Sequence, residues 1–99
     1  MIFANKIKQL REERQLLQRQ LASSLEIDTP MYSKIERGER RARREQITVI
    51  AELLQIDETE LVTLWLADKF ISAIGKETEL APKAFKVALE KSNNNNNLK

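Results

Sequence analysis

Apolar residues recur along most of this chain at intervals of three and four, the period of a helix with one buried stripe. Residues 3–15, FANKIKQLREERQ, place Phe3, Ile7 and Leu10 on one stripe, with Leu16 and Leu17 just beyond and Asn5 as a candidate cap. Leu21, Ala22 and Leu25 fall on one face of a short second helix, and Ile27 sits in the break after it. Tyr32 and Ile35, three apart, define the inner face of a third helix from about Thr29 to Arg37. Asp28 suits the N-cap of that helix. Pro30 fits its first turn, where a missing N–H costs little, and Gly38 can end it in the left-handed conformation. Two short helices joined by a tight turn, with a small alanine where they cross, describe a helix-turn-helix.

The rest of the chain keeps the helical period. Residues 45–56, EQITVIAELLQI, repeat Ile47, Ile50, Ala51 and Leu54 as a packing helix, and Asp57 with Glu60 three residues on forms a capping-box-like start to the next. That next segment, DETELVTLWLADKFISAIG, is apolar almost all round, and about 18 helical residues reach roughly 27 Å. So much apolar surface exceeds what one small core covers. Part of it is therefore expected to form a homodimer interface through Leu61, Leu64, Trp65, Phe70, Ile71 and Ile74, with Trp65 or Phe70 as anchors. The competing expectation is that a final helix, residues 80–91, covers it, with Pro82 in its first turn and Phe85, Ala88 and Leu89 inward. That helix packs in its own subunit or across the dimer. The closing SNNNNNLK is polar and low in complexity, and residues 92–99 are expected to be a disordered tail.

Composition narrows the chemistry. Ninety-nine residues with two glycines and two prolines suit one small all-helical domain. There is no cysteine for a disulfide or thiolate and no histidine for general-base or metal work, so no enzyme, no cofactor and no metal site is expected. No apolar run approaches the ~20 residues that span a bilayer, and no signal-peptide run opens the chain, which predicts a cytoplasmic, nucleoid-associated setting.

Charge adds a direction. Residues 1–44 hold eleven Lys and Arg against six Asp and Glu, a net of +5, and residues 45–99 hold six against nine, a net of −3; together these give the chain's +2. A positive half joined to a negative half orients in the field of a polyanion. Residues 37–44, RGERRARR, concentrate five of the arginines beside the third helix. Phosphate contact suits such a segment, because each neutralised phosphate releases counterion and adds affinity without sequence information. A solvated arginine run or an RNA-binding tract is the plainer alternative, though stacking aromatics are missing from the run.

The stretch QRQLASSLEIDTPMYSKIERG, residues 18–38, resembles the helix-turn-helix of the Cro and phage-repressor-like (XRE) family of DNA-binding regulators. Gln18, Leu21, Ala22 and Ile27 match, as do the closing Ile35-Glu36-Arg37-Gly38 and the upstream Arg11. The resemblance covers roughly residues 3–64. It implies an all-α fold, a compact five-helix phage-repressor-like DNA-binding domain, and duplex DNA as partner, bound by a dimer. It further implies base reading by Thr29, Pro30, Ser33 and Lys34, phosphate contact by Gln18, and an ion pair between Arg11 and Glu36. Arg37, Arg40, Arg41, Arg43 and Arg44 are the remaining phosphate candidates, of which one or more is expected to pair with Glu39 or Glu45. Lys34 could donate to guanine O6 and N7, whereas Pro30 can only pack against a thymine methyl or read shape. Two residues depart from the family pattern: Leu17 stands where a Ser, Thr or Asn cap is usual, and Glu26 where a glycine is common.

The expected organisation is a helix-turn-helix domain over residues 1–66, a C-terminal helical extension over 67–91, and the tail. The expected function is a transcriptional regulator acting as a homodimer on an inverted repeat, with no sensor domain left after the helices are counted. Restriction–modification controllers are the subtype it resembles in size. The alternative is an antitoxin whose C-terminal helices bind a toxin as protein partner.

Overall fold

A computed structural model describes the backbone of residues 1–97 and the side chains of residues 1–93. Those residues form six helices and no strand: α1 (Ile2–Glu13), α2 (Gln18–Leu25), α3 (Thr29–Glu36), α4 (Arg44–Leu54), α5 (Glu58–Ile74) and α6 (Ala81–Asn97). The chain divides into one unit from Met1 to Lys69 and a second that starts at Phe70, within α5.

In the first unit α2 packs on α3 and α4, and α1 packs on the same two helices. Their stripes meet in one core whose fully buried members include Ile7, Leu21, Tyr32, Ile35, Ile47, Ile50, Leu54 and Leu61. Each such side chain contributes on the order of 2 kcal/mol of hydrophobic stabilisation. Trp65 joins this core at 8 % exposure and donates its indole N–H to the Ala42 carbonyl at 2.8 Å. Leu61 and Trp65 therefore belong to the core of their own chain, which corrects the expectation that they face a second subunit. Leu64 is half-buried against the same core.

Helix starts are fixed by side chains. Asp28 accepts the Met31 N–H at 2.8 Å and caps α3, while Asp57 accepts the Thr59 N–H at 3.0 Å and caps α5. Leu17 and Arg43, which precede α2 and α4, carry no acceptor. In both cases the glutamine at the third helical position reaches back instead: Gln20 Oε1 accepts the Leu17 N–H at 2.7 Å, and Gln46 Oε1 accepts that of Arg43 at 2.8 Å. These are half capping boxes: the glutamine satisfies one donor, and the second, which a serine at the N-cap would satisfy, goes without a side-chain acceptor. The start of α1 is capped from a distance. Asp68 on α5 is buried, and its two carboxylate oxygens accept the Ile2 and Phe3 N–H groups at 3.0 and 2.9 Å. A carboxylate there also meets the positive end of the helix dipole.

Helix ends share one device. Gln15, Glu26, Gly38 and Gln55 all have φ between +55° and +76° and close α1, α2, α3 and α4. Each is followed by a residue whose N–H reaches back five positions: Leu16 to Arg11, Ile27 to Ala22, Glu39 to Lys34, Ile56 to Ala51. This is the Schellman arrangement. In three of the four, the residue after the left-handed one is an aliphatic side chain packed on the core, Leu16, Ile27 or Ile56. That contact explains how Gln and Glu are held where glycine is the relaxed choice.

In the second unit α5 ends at Ile74, Gly75 follows with φ of +55°, and α6 begins at Ala81 with Pro82 in its first turn. The rings of Phe70 and Phe85 meet edge to face, 4.9 Å between centroids. Ile71, Leu80, Phe85, Val87 and Leu89 remain more than half exposed. The backbone is helical through Asn97, beyond the expected end at residue 91 and into the stretch expected to be disordered. Neither glycine nor proline interrupts that stretch, and propagation fixes one residue per hydrogen bond gained. Residues 98 and 99 of the expected tail lie outside the described residues.

Candidate nucleic-acid interface

α3 is amphipathic in the simplest way. Tyr32, Ile35 and Glu36 are buried, Met31 and Ser33 are half-buried, and Thr29, Pro30, Lys34 and Arg37 are exposed. The four residues named as base readers thus lie along the outer side of one two-turn helix, with Thr29 and Pro30 in its first turn and Lys34 near its end. The inner side is held by the core and by a polar cluster at the helix C-terminus.

That cluster centres on Glu36, whose side chain is 1 % exposed. Arg11 Nε donates to its Oε2 at 2.6 Å and Arg11 Nη2 to its Oε1 at 3.1 Å, while Nη1 donates to the Leu16 carbonyl at 2.8 Å. The guanidinium so ties α1, the α1–α2 connection and α3 together. Gln18 Nε2 also donates to Glu36 Oε1, at 3.1 Å. Burial pushes the Glu36 carboxyl upward, but the donors, Arg11 foremost, outweigh it and hold the group below its ordinary range. The same bond raises the Arg11 guanidinium. Burial, followed by the neighbouring Glu36 carboxylate, pushes the Tyr32 phenol above its ordinary range. Gln18, named as a phosphate contact, is half-buried at the start of α2 with its amide nitrogen engaged by Glu36.

The arginines next to α3 are not equivalent. Arg37 forms an ion pair with Glu39 and donates to the Ser33 hydroxyl at 2.6 Å. Arg43 is 3.6 Å from Glu45, and Arg44 Nη2 is 2.8 Å from Glu58. These pairs hold the Glu39 and Glu58 carboxyls below the usual carboxylate range, through the Arg37 and Arg44 hydrogen bonds respectively. Lys34, Arg40 and Arg41 are exposed and have no ion-pair partner among the described residues. They present positive charge without an ion-pair partner on α3 and on the segment that follows it.

Which arginines their own carboxylates engage is not visible in the sequence, where Glu39 and Glu45 are the only partners that suggest themselves. Ala42 and Asp68 are likewise not singled out by the sequence pattern. A lone small residue inside an arginine run and a lone acid inside LVTLWLADKFISAI were the signals available. Of the remaining interface candidates, Phe70 packs on Phe85, Ile74 is half-buried and Ile71 is exposed at 58 %. No helix among the described residues is long and apolar enough to cross a membrane.

Comparison with known proteins agrees with the geometry at the level of the domain. A family model described as a helix-turn-helix domain matches residues 2–64. No curated protein and no solved structure matches the chain.

Proposed function

The chain belongs to the helix-turn-helix domain family, and on that premise we propose that it is a sequence-specific transcriptional regulator that binds duplex DNA as a homodimer on an inverted-repeat operator. The observation that carries this reading is the division of α3: Thr29, Pro30 and Lys34 exposed on one side, Tyr32 and Ile35 buried on the other, followed in the chain by the exposed Arg40 and Arg41, which have no ion-pair partner among the described residues. A helix so divided can enter a major groove with its first turns against base edges while flanking cations meet phosphate. In the proposal, Thr29, Pro30, Ser33 and Lys34 read bases. Arg40 and Arg41 carry most of the phosphate contact, with Gln18, Arg37, Arg43 and Arg44 joining where duplex phosphates displace their present partners. The resemblance to the XRE family and its restriction–modification controllers supplies a target for the regulator, an operon encoding modification and cleavage of DNA.

Selection of bound sequences from a random duplex pool tests this reading. Two recognition helices related by a two-fold axis predict an inverted repeat with half-site centres about 34 Å, or one helical turn, apart. A pool that gains no consensus after selection contradicts it.

A second reading, an antitoxin, draws on the exposed Ile71, Leu80, Phe85, Val87 and Leu89 of the second unit, a surface suited to a protein partner. The mass of the natively purified particle separates the two: two copies of this chain favour the regulator, and a complex with a different polypeptide favours the antitoxin.

A further inference from the structure

Residues 37–43 connect α3 to α4 without helical structure. Arginines at 40, 41, 43 and 44 are all exposed, and neighbouring like charges push such a segment apart. Its front is tied by the Glu39 and Arg40 N–H groups donating to the Lys34 carbonyl, and its back by the Arg43 N–H donating to Gln46. Between these ties, Ala42 is the only buried residue from 37 to 45. Its carbonyl accepts the Trp65 indole N–H at 2.8 Å in a buried bond, the single hydrogen bond made to residues 41 and 42 among the described residues. Trp65 is itself firmly seated: one turn further along α5, Asp68 clamps the start of α1. The small Ala42 side chain turned inward sets Arg40 and Arg41 on one side of the pin and Arg43 and Arg44 on the other.

We propose that Trp65 is a positioning residue for phosphate contact: its indole N–H pins the arginine segment at Ala42, so that Arg40 and Arg41 face DNA already ordered. This rests on the DNA-binding reading above. Trp65, nearly fully buried, touches no DNA itself. It spares the segment the ordering that a free loop undergoes on binding.

Trp65→Phe keeps an aromatic ring in the core and deletes the donor along with part of the ring volume, so melting of each protein reports the packing cost separately. Binding to the selected duplex is measured across a salt series for wild type, Trp65→Phe, Arg41→Gln and the double variant, with thermal melting of each protein alongside. The expected result is a folded Trp65→Phe protein with an unchanged sequence preference and three- to tenfold weaker binding. Its dependence of log affinity on log salt is shallower by about 0.9, one phosphate contact. Arg41→Gln is expected to weaken binding less in the Trp65→Phe background than in wild type. A folded Trp65→Phe protein with wild-type salt dependence and additive effects overturns the proposal and leaves the DNA reading standing. A wild type that binds no duplex overturns both. Should Trp65→Phe not fold, the wild-type indole N–H decides, because the chain has one tryptophan. A resonance protected from solvent exchange and shifted by added duplex supports the pin; one that exchanges freely overturns it.

Discussion

Arg11 and Glu36 stand 25 residues apart in the chain and meet through two hydrogen bonds, of 2.6 and 3.1 Å, beneath the C-terminal turn of α3. The contact anchors the proposed reading helix to α1 and buries a carboxylate that only cationic and amide donors can stabilise there. Arg11→Ala leaves that carboxylate buried and unpaired, which costs on the order of 3 kcal/mol. For a domain of this size the melting temperature should fall by roughly 10 °C or more. Thermal unfolding followed by circular dichroism measures it, and an unchanged midpoint would show that the pair adds nothing.

The same carboxylate sets an acid limit on the fold. Glu36 has its folded pKa held below the ordinary 4.5 of the unfolded chain. Its contribution is therefore complete above about pH 4.5 and is lost as pH falls through the depressed folded value. Glu39, which is exposed, and Glu58, which is half-buried, are shifted the same way, but solvent reaches and screens both pairs. Denaturant unfolding between pH 6 and pH 3 should show a steep loss of stability in wild type. Glu36→Gln should be weaker at neutral pH and flatter through the acid window. Parallel profiles for the two proteins would assign the acid limit to other groups.

Three helices end on a left-handed residue that is not glycine, and Glu26 is the most instructive. Its φ of +58° is strained for a side chain with a Cβ. Ile27 holds it in place by packing on the core after the Ile27 N–H has bonded to Ala22. Glu26→Gly should therefore stabilise the protein by about 1 kcal/mol, raising the melting temperature by roughly 4–8 °C. A melting temperature that drops would mean the glutamate makes a compensating contact.

The elements around α3 were legible because local chemistry fixes them: Asp28 as cap, Pro30 in the first turn, Gly38 as stop, Tyr32 and Ile35 at helical spacing. The Arg11–Glu36 pair was reachable only through the family resemblance, since nothing local relates residues so far apart. Trp65 shows where periodicity fails. On α5, apolar almost all round, an inward tryptophan and an outward isoleucine read alike, so the pattern points Trp65 and Leu61 to a subunit interface while the structure seats both in the core. Asp68 was passed over because its partners, two backbone N–H groups at the other end of the unit, carry no side-chain signature. Gln20 and Gln46 replace missing N-caps from three residues downstream, a substitution visible only once the helix starts are placed.

On the outer face of α3, Ser33 is the residue whose removal should alter recognition with the least effect on folding. It is half-buried, and its hydroxyl accepts from Arg37, which is also held by Glu39. Ser33→Ala should leave the folding stability within about 0.5 kcal/mol of wild type and change the base preference in each half-site. Matching preference profiles for the two proteins would remove Ser33 from the base-reading set.

The central claim is that the outer face of α3 and the adjacent arginines are the surface that meets DNA. Titrating isotope-labelled protein with its selected duplex and following backbone amide resonances tests this residue by residue. The account predicts the largest shifts at Thr29, Ser33, Lys34, Arg40 and Arg41, with Leu80 to Leu89 unaffected by the nucleic acid. Shifts confined to residues 70–91, with α3 silent, would contradict it.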